Sequence, residues 1–371
     1  MPSITHIITG LNVGGAERAL HTLLTGGLQG PFDNHVISLM DEGHYGPLLR
    51  EAGIPVTCLH MSPGRPGLGA VAKLLRSTNA QAPDIVQGWM YHGNLAASLV
   101  RRFVAPRAAL LWNIRLSLEG KSTTKRSTQW AIRLGARLSG HCDAIIYNSL
   151  RSRAQHEADR FSAKKGVFIP NGFDTARWQP VLDAKTALSR MLGLSAQTKI
   201  VGFVARAHPQ KDLPNLFDAF RRVALIHADC HLVCVGREIE ECAPLSLDRS
   251  RVTFLGQRSD ISTLMSGFDL LCLSSWAEGF PNVIGEAMAC GVPCVSTDVG
   301  DAAAIVAETG WVVPPRDSAA LADALSQGLA LSGLERRVRG VAARRRIEQC
   351  FSLSSAIGCY EALYSDLGSK A

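Results

Sequence analysis

Long hydrophobic runs and export signals are missing from this chain. Its 371 residues contain no uninterrupted apolar stretch of about eighteen residues, the length that a transmembrane helix needs. The first residues, MPSITHIITGLNVGG, have neither a basic start nor a long apolar core, so no signal peptide is predicted. We therefore expect a cytoplasmic protein without a membrane-spanning helix.

Closely spaced cysteine pairs are also missing. The ten cysteines are scattered and no CxxC occurs. The shortest spacings, Cys230 to Cys234 and Cys290 to Cys294, fall in apolar runs. Zinc sites and disulfide frameworks use characteristic cysteine spacings that this pattern does not have. The sequence therefore favours buried free thiols in a reducing compartment.

Acidic residues are in the minority, 32 against 39 basic ones, which gives a net charge of +7. The excess is concentrated in residues 101–140, the basic region, where nine basic residues accompany one acid, Glu119. The basic region can be a solvated surface, or a patch for an anionic membrane, a phosphorylated lipid or nucleic acid. Nucleic acid is the least favoured, because neither an RNP-type aromatic motif nor a basic segment with heptads occurs. The nine basic residues are Arg101, Arg102, Arg107, Arg115, Lys121, Lys125, Arg126, Arg133 and Arg137.

An apolar fraction of 46% and a charged fraction of 19% indicate a folded globular protein, and the length predicts two domains. Short apolar runs alternate with amphipathic stretches such as AERALHTLLTGGL and NLAASLVRRF, which is typical of βαβ units around a parallel sheet. The runs are ITHIIT, HVISL, PVTCL, DIVQG, ALLWN, AIIYN and GVFIP in the first half, and KIVGFVAR, HLVCVG, VTFLG, DLLCL and VPCVS in the second.

The alternation is interrupted at IPNGFDTARWQP, where Pro170, Gly172 and Pro180 break the pattern. We predict two doubly wound, Rossmann-like α/β domains joined near residues 171–195, followed by a last helix in SLSSAIGCYEALYSDLG. Ligands of such sheets bind outside the carboxyl ends of the strands. The functional motifs should therefore lie in strand-to-helix turns that face a cleft between the domains.

The first such turn is in TGLNVGGAERAL. Gly14 and Gly15 follow the first strand and open a helix, where glycine permits close approach and free N–H groups favour a phosphate. A plain tight turn is the alternative. The GxGxxG fingerprint of dinucleotide-binding proteins does not match this stretch, which argues against a nicotinamide dehydrogenase.

The second turn is in VARAHPQKDLPNLFDAF. Arg206 and Lys211 flank a proline turn at the end of a strand, and Asp212 begins the next helix. An arginine fork and a mobile lysine charge at that place suit a diphosphate, although solvated surface charge is the alternative.

The third turn is EGFPNVIGE, which lies between the apolar run DLLCL and a short helix that Gly291 should end. In a continuous helix Glu278 and Glu286 would lie about 12 Å apart, too far for one shared metal. A helix that begins near Pro281 instead leaves Glu278 at the strand end and Glu286 in the first turns. Such an arrangement suits an extended, hydroxyl-rich ligand, with carboxylates accepting hydrogen bonds from hydroxyls. Two unrelated surface glutamates are the alternative.

Four motifs in order resemble one family. EGFPNVIGEAMACGVPCVSTDVGD resembles the E-x7-E signature of retaining glycosyltransferases of family 4, which have the GT-B fold, and LNVGGAER, VARAHPQKD and IPNGFD match the same family. The resemblance implies an acceptor-binding domain at 1–175 and a nucleotide-sugar-binding domain at 176–352. It also implies a carboxyl-terminal helix, 353–371, that crosses back to the first domain.

The resemblance implies roles for the charged residues. Glu286 would bind the ribose hydroxyls of the donor, and Glu278 the hydroxyls of the transferred sugar. Arg206 and Lys211 would bind the diphosphate and stabilise its charge as it leaves. The segment that surrounds the donor would be Phe280, Pro281, Asn282, Val283 and Ile284, with backbone N–H groups from Phe280 to Val283 assisting Glu278.

In the first domain, Gly14 and Gly15 would let a helix start face the diphosphate, and His92, in WMYHGNLAA, would lie next to the reacting sugar. Taken alone, His92 is more often a structural histidine. The chain departs from the family at LLWNIRLSLEG, where Asn113 and Arg115 stand near the position of a histidine in many relatives. Acceptor handling is therefore the part that transfers least.

The implied reaction is a metal-independent transfer of a sugar, with retained configuration, to a glycan or polyprenyl-linked acceptor in surface polysaccharide assembly. The co-substrate would be a nucleotide-sugar, a UDP-sugar rather than GDP-mannose, and no cofactor is expected. An anionic membrane surface would be a partner through the basic region, which would place the protein at the inner face of the cell membrane. A sugar-nucleotide epimerase and a non-catalytic subunit of a glycan assembly complex are the competing hypotheses.

Overall fold

The computed structural model describes residues 1–62, 67–119 and 125–368. Lys121 of the basic region lies outside these residues. The chain forms two compact units, Met1–Gly172 with Leu353–Ala371, and Phe173–Ser352. Each unit is described separately below.

The first unit is built on a parallel sheet of seven strands, as far as the described residues show, in the order β3-β2-β1-β4-β5-β6-β7. Its strands correspond to the seven apolar runs predicted for the first half. They are β1 Ser3–Ile8, β2 Asp33–Ser38, β3 Val56–Cys58, β4 Ile85–Trp89, β5 Ala109–Ile114, β6 Ala144–Tyr147 and β7 Gly166–Phe168.

Helices connect these strands. The first helix continues directly into a π-helical turn at Leu24–Leu28. The helices are α1 Gly15–Leu23, α2 Tyr45–Glu51, α3 Leu68–Asn79, α4 Met90–Phe103, α5 Arg126–Leu138 and α6 Leu150–Ala158.

The second unit repeats the plan with six parallel strands among the described residues, in the order β10-β9-β8-β11-β12-β13. Five of them were predicted. The sixth, Trp311–Val313, was missed because three half-buried residues are too short for a periodic signal. The strands are β8 Lys199–Val204, β9 Cys230–Val235, β10 Val252–Phe254, β11 Leu270–Leu273, β12 Cys294–Thr297 and β13 Trp311–Val313.

The helices of the second unit follow the same alternation, and the last one precedes the return of the chain to the first unit. They are α7 Ala184–Met191, α8 Leu213–Ile226, α9 Ile261–Ser266, α10 Asn282–Ala289, α11 Ala302–Val306, α12 Ser318–Ala330 and α13 Gly333–Cys350.

The helix after α13, α14 Leu353–Gly368, belongs to the first unit. Its Tyr364 packs edge-on against Phe32, with ring centroids 5.3 Å apart, and Tyr364 is fully buried. Its Tyr360 hydroxyl accepts a hydrogen bond from Asn113 Nδ2 at 2.7 Å. The helix predicted at the end of the chain is therefore a structural part of the first unit.

In each sheet the order in which the chain adds strands reverses at one place. In the first unit β1 lies beside β4, and in the second β8 lies beside β11. Neighbouring parallel strands whose connections leave in opposite directions open a crevice at their carboxyl ends, where α/β proteins bind ligands. These two places are called the first and second switch points here, and the motifs found in the sequence follow these four strands.

Most strand residues are buried on both faces, as the continuous apolar runs predicted; all five residues of β4, for example, are buried. Among residues 1–62, 67–119 and 125–368, no helix combines the length and the hydrophobicity needed to cross a membrane.

Candidate functional site

The second switch point brings a lysine and a glutamate together. Lys211 ends a 3-10 turn, Pro209–Lys211, in the loop after β8, and Glu278 lies in the loop between β11 and α10. Lys211 Nζ lies 2.5 Å from Glu278 Oε1. Both side chains are mostly but not fully buried, 23% and 16% exposed, so the pair remains within reach of a ligand.

Three residues just before Glu278 hold this pair in place. Ser275 Oγ donates to Glu278 Oε1 at 2.7 Å, and Ser274 Oγ donates to the Lys211 carbonyl at 2.7 Å. The backbone N–H of Trp276 donates to the Gln210 carbonyl. The two loops therefore form one hydrogen-bonded assembly.

Sequence reasoning missed these supporting residues. The signal is the polar triplet SSW that follows the buried strand β11, where Ser274 and Ser275 are fully buried. Buried hydroxyls need hydrogen-bond partners, so two of them next to a motif glutamate indicate a positioning role.

Arg206 is exposed in the same loop, two residues after β8 ends. Burial lowers the pKa of His208, and the positive charges of Arg206 and Lys211 lower it further. His208 is therefore neutral at pH 7, and the loop presents two cations. Asp212 is the N-cap of α8, in a left-handed conformation with φ of 49°, and the helix proper begins at Leu213, one residue later than predicted.

The EGFPNVIGE segment folds nearly as predicted. Helix α10 begins at Asn282, with Pro281 as its N-cap, so Glu286 lies in its second turn and is 5% exposed. Glu278 lies in the loop after β11, five residues beyond the strand end rather than at it. Gly291, with φ of 76°, ends the helix as expected.

The remaining donor-segment residues divide between core and surface. The side chains of Phe280 and Ile284 are buried in the core of the second unit, and the Phe280 ring stacks on Phe173 at 6.2 Å. Asn282 and Val283 are half-buried at the helix start. A ligand there would meet backbone from Phe280 to Val283, because the first N–H groups of a helix point outward along its axis.

The first switch point collects the motif residues of the first unit. Gly14 is the N-cap of α1 and Gly15 its first residue, as predicted, after β1. His92 is the third residue of α4, which follows the neighbouring strand β4. Burial lowers the pKa of His92, so its ring is neutral at pH 7.

Helix α4 lies very close to β1. A Cβ atom on Gly93 would stand 2.4 Å from the Ile7 carbonyl oxygen, a distance that real side chains do not occupy. Glycine at this position therefore lets the helix approach the strand, and His92 is fixed near the carboxyl end of β1.

Comparisons with known proteins identify the family. The family model for Glycosyltransferase Family 4 matches residues 13–177, and the model for Glycosyl transferases group 1 matches residues 198–330. The chain belongs to glycosyltransferase family 4. The two matched ranges correspond to most of the first and second units.

Curated relatives are bacterial enzymes. The chain is 31% identical over 189 residues to the N-acetyl-alpha-D-glucosaminyl L-malate synthase of Bacillus anthracis, an alignment that covers 49% of this chain and 49% of that protein. It is 29% identical over 321 residues to the phosphatidyl-myo-inositol mannosyltransferase of Mycobacterium leprae, covering 81% and 82%. The chain thus spans about half the length of the first relative and most of the second.

Solved structures establish the GT-B fold. Anabaena Alr3699/HepE, in a complex with UDP and glucose, superposes with a TM-score of 0.83 at 23% identity, covering 98% of this chain and 99% of that one. The sucrose-phosphate synthase of Thermosynechococcus elongatus superposes with a TM-score of 0.84 at 21% identity, covering 100% of both chains.

Asn113 and Arg115, in the stretch LLWNIRLSLEG, make contacts within the first unit. Asn113 is fully buried and donates to Tyr360 of α14, and Arg115 donates to Asn171 and lies over the Trp89 ring at 5.6 Å. Asn113 therefore joins β5 to α14, and Arg115 joins the end of β5 to the segment that follows β7. The two residues therefore have a structural role within the first unit.

Proposed function

We propose that this family 4 protein transfers a glycosyl group from a nucleoside-diphosphate sugar to a glycan or polyprenyl-linked acceptor in bacterial surface polysaccharide assembly. The observation that carries the proposal is the hydrogen-bonded Lys211–Glu278 pair at the second switch point, beside exposed Arg206. Two cations and a carboxylate at the carboxyl ends of β8 and β11 suit a diphosphate joined to a hydroxyl-bearing sugar.

The donor site extends along the second unit. Glu278 binds hydroxyls of the transferred sugar, Glu286 binds the ribose, and the backbone from Phe280 to Val283 assists. Arg206 and Lys211 bind the diphosphate. The second unit is accordingly the donor-binding domain and the first the acceptor-binding domain, with Gly14 and Gly15 at the diphosphate and His92 at the reacting sugar.

The reaction retains the anomeric configuration and needs no metal. The acceptor oxygen forms a bond to the anomeric carbon as the bond to the diphosphate oxygen breaks on the same face. The acceptor proton passes to the departing phosphate oxygen. The protein contributes orientation, and Arg206 and Lys211 stabilise the developing negative charge.

A UDP-sugar is the favoured donor. The Anabaena protein with the same fold was crystallised with UDP and glucose, and with UDP-glucose. Three curated relatives are mannosyltransferases, one of them GDP-mannose-dependent, which makes GDP-mannose the principal competitor.

The acceptor side of the proposal includes a membrane surface. In the basic region, Phe103 and Trp130 are 62% and 63% exposed, and exposed Arg102 and Arg133 lie on the same two contacting helices, α4 and α5. Large apolar side chains next to arginines are suited to the interface of an anionic bilayer, where a lipid-linked acceptor would be presented.

A nucleotide screen tests the donor assignment. UDP, GDP and ADP, each also as its glucose or mannose conjugate, are added to the full chain and the melting temperature is measured. Ligand at 100 times its Kd stabilises the folded state by about 2.7 kcal/mol, so the correct nucleotide gives the largest shift. If none of these ligands raised the melting temperature above that of the protein alone, the proposal would be contradicted.

Turnover experiments test the chemistry. With the nucleotide identified, the anomeric configuration of the product is read by NMR, and a donor-only incubation distinguishes transfer from epimerisation of the sugar-nucleotide. Inverted configuration would rule out the retaining mechanism. Activity abolished by EDTA and restored by magnesium would rule out metal independence.

A further inference from the structure

An open cavity of about 480 Å³ lies in the second unit, beside the loops that carry Lys211 and Glu278. Its volume is in the range of about 300–1,000 Å³ that is typical of small-molecule sites. Arg206, Lys211, Glu278 and Glu286 are not among its lining residues. The cavity is therefore distinct from the proposed donor site, although it adjoins the same loops.

One wall of the cavity is Trp276, with Arg316 against it. The Arg316 guanidinium lies 4.8 Å from the centre of the indole ring. Arg316 has a φ of 62° and Asp212, on another wall, a φ of 49°; both values are in the left-handed region. Non-glycine residues with this backbone occur preferentially at functional sites, because the strain must be compensated by the surrounding structure.

The walls also offer hydrogen-bonding groups. Asn215 lines the cavity, is 7% exposed, and its Nδ2 has no hydrogen-bond partner among the described residues. A buried amide without a partner is unfavourable, and a ligand that accepts its hydrogen bond would relieve this. The Asp212 carboxylate supplies an acceptor on the adjoining wall.

The charges that line the cavity favour a neutral ligand. Asp218 is already compensated by Arg221 and Arg222 and by Ser318 Oγ. The other two charges, on Asp212 and Arg316, are of opposite sign, so neither an anion nor a cation gains a net attraction. A neutral ligand with several hydroxyl groups remains, since it can accept from Asn215 and Arg316 and donate to Asp212.

We infer that this cavity is an accessory carbohydrate-binding site that takes one hexose unit, either as a free sugar or as part of a glycan. The inference goes beyond the proposed transfer reaction and does not depend on it. Indole rings and planar polar side chains together bind sugars well, because a sugar ring presents apolar C–H faces and a rim of hydroxyl groups.

A ligand in the cavity would affect the loops that carry Lys211 and Glu278 through its contact with Trp276. Its Nε1 donates to the Pro209 carbonyl at 2.9 Å, and Asp212 directly follows Lys211. A ligand that restrains Trp276 and Asp212 therefore also restrains the loop that presents Lys211. Sugar binding should slow hydrogen exchange of the amides at 210–212.

Saturation-transfer NMR on the full chain tests the site, with glucose, galactose and mannose as probes. We expect transfer to at least one hexose, and about tenfold weaker binding in Arg316→Gly. Glycine adopts the φ of residue 316 without strain, so this variant removes the guanidinium and preserves the loop. Asn215→Ala should also weaken binding, because it removes the unpartnered amide.

Two control variants separate this site from others. Arg249→Ala removes an exposed arginine that also lies over an aromatic ring, Phe254, but outside the cavity, and should leave hexose binding unchanged. Glu278→Gln alters the proposed donor site and should also leave it unchanged. Absence of transfer to all three sugars, or a signal that Arg316→Gly preserves, overturns the inference. Comparing the free sugars with a disaccharide shows whether the source is a monosaccharide or a glycan.

Discussion

At the scale of single residues, one lysine carries the proposed chemistry. Lys211 is held by its carbonyl through Ser274 and by its ammonium group through Glu278. A cation positioned before the substrate arrives costs no reorganisation when the leaving group develops charge, which is why such groups contribute strongly to catalysis.

The first prediction concerns this pair. Lys211→Met and Glu278→Gln should each lower turnover at least about 100-fold, equivalent to about 2.7 kcal/mol of transition-state stabilisation. Lys199→Met is the matched control, because Lys199 also pairs with an acid, Asp229 at 3.0 Å, in the same unit. Steady-state kinetics with the identified donor provide the measurement. Near-wild-type turnover in either site variant would show that the pair is structural.

The second prediction concerns Gly15. A Cβ atom there would meet no described atom within 4 Å, so Gly15→Ala should leave the melting temperature unchanged. If a diphosphate approaches this backbone, the added methyl group should lower kcat/KM roughly tenfold. Gly140→Ala is the control, since its Cβ would also meet no described atom within 4 Å. Equal kinetics for the two variants would remove Gly15 from the donor site.

The third prediction concerns His6, which is fully buried. Trp89 Nε1 donates to its Nδ1, so its Nε2 carries the proton and donates to Asn34 Oδ1. In the neutral ring both nitrogens therefore have hydrogen-bond partners. Burial lowers the pKa of His6 from 6.5 to about 4. The unfolded chain therefore binds a proton between pH 6.5 and 4 that the folded chain does not, and stability falls as pH falls through this window.

The expected contribution of His6 to this loss is about 3 kcal/mol over the whole window. Chemical denaturation at pH 7, 5.5 and 4 measures it, and His6→Gln should show a shallower dependence on pH than the wild type. His141→Gln, at an exposed position, is the control and should keep the wild-type slope. An unchanged slope in His6→Gln would mean that this histidine is not buried neutral.

At the scale of elements, α14 is joined to the first sheet by buried polar contacts. Tyr360 accepts from Asn113, and Tyr364 donates to Gln87 Oε1 at 2.5 Å. Apolar contacts alone tolerate small shifts of a helix, whereas buried hydrogen bonds require one register. The helix is thus fixed on the first unit although it follows the second in sequence.

The fourth prediction tests this attachment. Tyr360→Phe leaves the buried Asn113 amide without its acceptor and should lower the free energy of unfolding by about 1–3 kcal/mol. Tyr147→Phe is the matched control, because the Tyr147 hydroxyl is buried without a partner among the described residues. That variant should be neutral or slightly stabilising. Urea denaturation measures both, and equal losses would contradict the assignment.

Element boundaries were predictable where local chemistry sets them. The two-sided apolar runs located twelve strands, and Gly291 located the end of α10. The short strand β13 was not predictable, because its three residues become a strand only by pairing with β12. The left-handed N-cap at Asp212 was likewise invisible, since no sequence rule requires it there.

At the scale of the whole molecule, charge is uneven and exposed aromatic residues accompany it. The protein carries a net charge of +7, and the basic region contributes exposed Phe103 and Trp130. On the proposed membrane contact, attraction to an anionic bilayer would act within about 8–10 Å at physiological salt and would bring these side chains to the interface.

The fifth prediction is membrane binding that depends on both features. Sedimentation with anionic phosphatidylglycerol vesicles should show binding that weakens as salt rises, and Phe103→Ser with Trp130→Ser should reduce it about tenfold. Leu225→Ser with Ile226→Ser is the control, because these residues are 82% and 69% exposed in the second unit. Equal binding to neutral vesicles, or no binding to anionic ones, would exclude the basic region as a membrane contact.

The sequence by itself determined the α/β class, most of the strands and the strand-to-helix turns in which the motif residues lie. These features follow from local rules: buried parallel strands need continuous apolar runs, and turns need glycine and proline. The family resemblance rests on the same residues and was confirmed.

Only the tertiary structure decided which residues distant in the sequence contact each other. The strand order places β8 beside β11 and so brings Lys211 to Glu278, 67 positions apart. It also joins α14 to the first unit and gives Asn113 and Arg115 a structural role. Such contacts connect distant parts of the chain, and their energies depend on geometry that no local pattern encodes.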